Sequence, residues 1–253
     1  MPQTQMKLHV YPNSSQTLAG CAEFIAIKMA EAIGLRGVAR IALAGGSTPK
    51  ALYALLARPP FAGGIDWQRI EFYFGDERAV PQTHPDSNYH QVQTHLFTPL
   101  GIKPEQIFPM ISDPMQLLGI EATRYQHALE RWAAGGVPVF DFILNGMGVD
   151  GHFASLFPDT PALHERARWV TANPVPQHQT ERLTLTYPVF EAARTVCFLV
   201  TGHEKHAAFC ALNQTEQPTP SARLVQHRHT DWFIDAACHH GPSQTPDTKE
   251  FTA

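Results

Sequence analysis

Residues 140–157 read FDFILNGMGVDGHFASLF. The stretch opens as an apolar run over 140–144, broken only by Asp141, and then meets Gly146, Gly148 and Gly151. An apolar run that stops at a cluster of glycines predicts a buried strand ending in an open loop. Glycine supplies the backbone freedom and the close approach that such a loop needs. Asp150 and His152 flank the last glycine. The chain holds 14 histidines, most of which must be structural or on the surface. His152 stands apart by its place at a strand end, where an imidazole is well set for proton chemistry.

Outward from this stretch, the same grammar repeats. Residues 38–44, VARIALA, form a largely apolar strand, followed by Gly45-Gly46-Ser47-Thr48-Pro49 and the helical run KALYALLA. Proline at the start of a helix, with Ser or Thr before it, is a strong helix-start signal. A strand, a glycine turn and a helix N-terminus together make a candidate anion site. The turn is neither a Walker loop nor GxGxxG, so it suits a phosphoryl group better than a nucleotide. An ordinary strand-to-helix connection is the plainer reading. Residues 67–74, WQRIEFYF, predict a third strand, ending in Gly75-Asp76-Glu77-Arg78. That charged cluster is either a solvated loop or part of a ligand site. Residues 195–201, TVCFLVT, predict a buried strand that ends in Gly202-His203-Glu204-Lys205, where a helical stretch opens.

The remaining segments fit between these. Residues 7–11 alternate as a short strand, and a helix follows with Leu18, Cys21, Ala22, Ile25 and Met29 at helical spacing. Asp86 or Ser87 can cap a helix carrying Tyr89, Val92 and Leu96, and 115–132 is the longest helical pattern. Residues 169–172 suggest a short strand, 181–186 (ERLTLT) a half-buried one, and 188–193 a helical turn. Residues 231–239, DWFIDAACH, can dock as a strand or a helix. Alternating strands and helices predict an α/β fold: a Rossmann-like open, mostly parallel sheet with helices on both faces. The 253 residues suit a single domain over 1–240, although 80–135 could form a helical lobe, and the polar tail 241–253 is expected to be disordered. Ligands sit beyond the carboxyl ends of parallel strands, which brings the four polar strand ends towards one crevice.

Composition sets the outer limits. Hydrophobic residues make up 43% of the chain and the net charge is −4. Neither a nucleic acid nor an acidic membrane surface is an expected partner, so any anion site must be a local pocket. No signal peptide or spanning run is recognisable. The four cysteines form no CxxC pair, as expected of reduced thiols in a cytoplasmic protein. The pairs His203/His206, His227/His229 and His239/His240 fit no complete ligand set, so no metal is expected.

Taken together, Gly45-Gly46-Ser47-Thr48-Pro49, Gly75-Asp76-Glu77-Arg78 with Pro81, and Asp150-Gly151-His152 with Ala154-Ser155-Leu156-Phe157-Pro158 resemble the 6-phosphogluconolactonase family. Arg182-Leu183-Thr184-Leu185-Thr186 and Gly202-x-x-Lys205 match in order and spacing. The resemblance extends to about residue 240. It implies hydrolysis of 6-phosphogluconolactone in the pentose phosphate pathway with no required cofactor, on a fold shared with glucosamine-6-phosphate deaminase. A sugar-phosphate lactone is the implied partner, and the chain is expected to be a monomer or small homo-oligomer. Phe153, Asn145 and Val149 depart from the family's usual residues.

On this reading His152 is the general base, and Asp150 or Asp76 orients it. Arg78 stabilises the oxyanion or binds a substrate oxygen. Gly45, Gly46, Ser47, Thr48, Arg182 and Lys205 bind the phosphate. Two alternatives remain at this stage. The deaminase shares Asp76 and Asp150-Gly151-His152 but also carries a glutamate for ring opening, near the position of Phe157, and residues 153–158 hold no carboxylate. A non-catalytic sugar-phosphate sensor would need only the binding groups.

Overall fold

A computed structural model describes residues 6–214 and 216–241. Among them the strands are β1 (Met6–Tyr11), β2 (Ala39–Leu43), β3 (Ile70–Phe74), β4 (Asp76–Arg78), β5 (Phe142–Asn145), β6 (Val170–Val175), β7 (Thr180–Leu185), β8 (Val196–Val200) and β9 (Thr230–Asp235). The α-helices are α1 (Ser14–Arg36), α2 (Ser47–Leu56), α3 (Phe61–Gly64), α4 (Asn88–Val92), α5 (Thr98–Leu100), α6 (Leu118–Glu130), α7 (Tyr187–Ala192), α8 (His206–Cys210), α9 (Pro220–His227) and α10 (Ala236–His240).

Strands that are apolar on both faces must be covered on both faces. Every residue of β5, β8 and β9 is buried. These strands form the centre of a six-stranded parallel sheet in the order β1-β9-β8-β5-β2-β3, with helices on both sides. From β2 the sheet grows outward to β3; from β5 it grows the other way, through β8 and β9. The strand order therefore reverses between β2 and β5, which pair through Ile41 and Phe142. A crevice opens where the loops leaving two such strands diverge. The loops here are Gly45–Thr48 and Gly146–His152, the two glycine-rich stretches of the sequence.

The charged segment after β3 departs from expectation. Asp76, Glu77 and Arg78 are not an open loop but a strand, β4, in a second sheet ordered β4-β7-β6 and antiparallel throughout. Gly75 joins the two sheets: its N–H donates to Leu43 O at 2.9 Å, and its carbonyl accepts from Leu185 N at 2.9 Å. The second sheet thus folds over the carboxyl end of the first.

Other differences have local causes. Residues 231–239 are both strand and helix, because Asp235 ends β9 and caps α10 by accepting from Cys238 N at 2.8 Å. α6 is shorter than the pattern over 115–132 because a turn precedes it: Asp113 accepts from Met115 N, and buried Glu121 accepts from Ser112 N. Within 80–135, the Tyr125 hydroxyl of α6 bonds both Phe74 N and Phe74 O, which ties this stretch to the end of β3. α9, capped by Thr219, had no counterpart in the sequence reading. Residues 242–253, expected to be disordered, lie outside the described residues. Among those described, no helix is long and apolar enough to cross a membrane.

Candidate active site

The crevice between β2 and β5 is a cleft of about 200 Å³. Gly45, Gly46, Ser47, Thr48, Asp76, Arg78, His152, Arg182 and Lys205 all line it. Its floor is rigid because the buried Tyr53 hydroxyl of α2 donates to Ala44 O at 2.6 Å and accepts from Ala44 N at 3.1 Å.

The loop after β5 presents the histidine. Gly151 N donates to Gly148 O at 3.1 Å, and Gly148 N donates to His152 O at 2.8 Å, which closes a tight turn. Gly151 has a φ of 76°, a region that glycine adopts without strain, and its carbonyl accepts from both Ser221 N and Ser221 Oγ. Gly148 is required for space: a Cβ there would overlap the His152 ring and the Asp150 carboxylate. Asp150, just behind the cleft, meets His152 Nδ1 at 2.5 Å. Burial pushes the Asp150 carboxyl pKa up, but the hydrogen bonds and charge of His152 outweigh it and hold it below the ordinary value. An ionised carboxylate only accepts, so in the neutral ring Nδ1 carries the proton and Nε2 keeps its lone pair.

The other orienting candidate, Asp76, is engaged elsewhere. Its carboxylate accepts from Ser155 Oγ at 2.6 Å and from Asn88 Nδ2 at 3.2 Å. Glu77, the third member of that charged cluster, does not line the cleft. It is buried and accepts from Arg78 N, Asn88 N, Tyr89 N and Ser87 Oγ, which fastens the start of α4 to β4. Burial raises its carboxyl pKa above the ordinary value, although those backbone donors pull the other way.

Two arginines face each other across the second sheet, for Arg78 of β4 is in register with Arg182 of β7. Like charges directly opposite on neighbouring strands repel. Arg78 Nη1 donates to Asp86 O at 2.7 Å, yet the Nε atoms of both arginines are buried without a protein partner. Burial lowers the Arg182 pKa, Arg78 adds to that, and Asp76 opposes it. A pair of cations with unspent donors beside a cleft is a seat for a multiply charged anion. The uncapped N-terminus of α2 faces the same space. One expected donor is already used, since Gly46 N–H goes to Gln91 Oε1 at 3.2 Å.

Several participants escaped the sequence reading. Phe157 stacks on His152 with ring centroids 3.9 Å apart. Thr201, at the end of β8, brings its hydroxyl to 3.3 Å from that of Thr48. Ser155 and Phe157 lay inside the quoted stretch and could have been singled out, whereas Asn88 and Ser221 reach the site only through tertiary folding. Phe153 is buried against Phe190 and Phe198, so the bulk beside His152 points into the core.

The family model for glucosamine-6-phosphate isomerases and 6-phosphogluconolactonases matches residues 12–234. A 6-phosphogluconolactonase of Synechocystis is 37% identical over 220 residues, covering 83% of this chain and 88% of that protein. One from Nostoc is 34% identical over 238 residues, covering 91% and 95%. The structure of 6-phosphogluconolactonase from Trypanosoma cruzi superposes with a TM-score of 0.83 at 26% identity, covering 95% of this chain and 98% of that one. With such coverage by both the family model and these relatives, the chain belongs to the glucosamine-6-phosphate isomerase/6-phosphogluconolactonase family.

Proposed function

We propose that the protein hydrolyses 6-phospho-D-glucono-1,5-lactone to 6-phospho-D-gluconate in the oxidative pentose phosphate pathway, with His152 as general base. The observation that carries the reading is the coincidence, in one cleft, of an imidazole with a free Nε2 and a pair of arginines with unspent donors. Arg182, Lys205 and the first turn of α2 take the phosphate, which sets the lactone carbonyl towards His152. Nε2 removes a proton from water as its oxygen bonds to the carbonyl carbon. Arg78 offsets the negative charge that develops on the carbonyl oxygen. When the tetrahedral intermediate collapses, the bond to the ring oxygen breaks and the imidazolium returns its proton to that oxygen. No net proton is held by the enzyme at the end of this sequence.

Asp150 acts through His152 by fixing its tautomer. Asp76 acts through Ser155 and Asn88, which shape the wall of the cleft. The stacked Phe157 speaks against ring opening of an amino sugar, because an apolar ring occupies the space beside the base where that chemistry needs a carboxylate. The four free cysteines agree with a cytoplasmic setting. The deciding experiment follows freshly made 6-phosphogluconolactone against its spontaneous hydrolysis. Acceleration by the wild-type chain, cut by about 10²–10⁴ in His152→Ala, is the expected result. A rate equal to the spontaneous one overturns the proposal.

A further inference from the structure

We propose that Phe157 is a positioning residue for the base: its ring fixes the plane of the His152 imidazole and stabilises that imidazole once it is charged. The inference rests on His152 being the general base. Three observations carry it. The two rings stack at 3.9 Å with an interplanar angle of 25°. The Phe157 side chain is itself fully buried and cannot swing away. The Arg182 guanidinium lies over the same ring at 5.2 Å, and His178 meets it edge-on at 5.4 Å.

The hydrogen bond to Asp150 holds one ring atom and leaves the imidazole free to turn about that bond. A flat surface against its face removes this freedom, so Nε2 points in one direction before substrate arrives. The face of an aromatic ring is also electron-rich and attracts a cation. Neutral imidazole gains little from it and imidazolium gains more, so the ring favours the state formed when water gives up its proton. Because Arg182 rests on the same ring, the phosphate-binding cation and the base share one stack. Other charges near the imidazole are Asp150 on its own loop, Asp76 and Arg78 from β4, Arg182 from β7 and Lys205 beyond β8. Of these, Arg182 alone also touches the Phe157 ring, and it stays in place as a charge in each variant.

The test compares wild type with Phe157→Leu, Phe157→Met and Phe157→Tyr, each first checked for a native circular dichroism spectrum. Two readouts are taken: the pH profile of kcat/KM on 6-phosphogluconolactone, and the NMR titration of the His152 ring. Loss of the aromatic face is expected to move the His152 titration and the acidic limb of the profile to lower pH by about half a unit. A fall in kcat of about tenfold is expected with it, and Tyr restores both. Met fills the same space flexibly, so it serves where Leu does not fold. An unmoved titration in Leu or Met, or a kcat loss that Tyr does not rescue, overturns the inference. The titration needs no turnover and decides the matter even if the lactone proves not to be the substrate; failure of wild type to accelerate hydrolysis would count against the proposed function alone.

Discussion

At the scale of single residues, the proposed mechanism depends on one proton being on the correct nitrogen. Asp150 holds it on Nδ1 across 2.5 Å. Asp150→Asn keeps the shape but offers an amide that can bond either tautomer, so the base population with Nε2 free should fall. A loss in kcat of roughly 10²-fold is expected, the lower part of the general-base range, with KM little changed. Steady-state kinetics at neutral pH check this, and equal losses in kcat and KM would point to a disturbed pocket instead. The same pair sets a sign for pH. The folded Asp150 pKa is depressed, so its contribution to stability is present above the unfolded carboxyl value and is lost as pH falls through the folded one. Gly148 works at the same scale by leaving room: Gly148→Ala drives a methyl group into the Asp150–His152 pair. It should reduce kcat at least as far as Asp150→Asn, while phosphate-dependent binding, read by titration with 6-phosphogluconate, changes little.

At the scale of elements, the clamp between β4 and α4 builds the far wall. Glu77 takes two N–H groups of the first turn of α4, those of Asn88 and Tyr89, each at 2.8 Å. This is a helix N-terminus satisfied by a carboxylate from a different strand. It sets Asn88 on Asp76 and Gln91 on Gly46 N, both at the cleft. Glu77→Ala leaves buried donors without acceptors and should cost about 2–3 kcal/mol, a drop of roughly 4–12 °C in Tm. Thermal unfolding followed by circular dichroism reads it, and a change below about 1 °C would mean that water replaces the carboxylate. Nothing in the local sequence distinguishes Glu77 from its neighbours Asp76 and Arg78. Their alternation along a three-residue strand does, since it turns Glu77 to the opposite face, but so short a strand has no visible period. Residues 140–157 were legible for the contrary reason: strand, glycine turn and histidine are contiguous, and each carries its own local signal. β2 with Gly45–Thr48 was legible in the same way, and so was β8. In the second sheet β6 and β7 were legible as short strands, but β4 was not, because it is defined by pairing with β7 about a hundred residues away.

At the scale of the whole molecule, that second sheet explains why the cleft holds so much positive charge in a chain whose net charge is −4. It lays Arg78 opposite Arg182 beside the reversal point of the main sheet. Without an anion the two guanidinium groups repel each other and leave both Nε atoms unpaired in a buried setting. A dianion held by Arg182 offsets the repulsion and supplies an acceptor in that buried setting, so the folded chain should bind phosphate esters even without turnover and be stabilised by them. For a ligand at about 100 times its Kd the linkage is about 2.7 kcal/mol. In a chain of this size that corresponds to a rise of about 5–10 °C in Tm. Titrating 6-phosphogluconate, with unphosphorylated gluconate as the comparison, separates the phosphate from the sugar. Arg182→Ala relieves the repulsion by itself, so its Tm without ligand should match or exceed that of wild type, whereas most of the rise with 6-phosphogluconate disappears. Equal stabilisation by gluconate and its phosphate ester, or a full rise retained in Arg182→Ala, would place the anion elsewhere. The outcome separates two uses of a buried arginine pair. A structural pair loses stability when one member is removed, and a binding pair loses its response to the ligand.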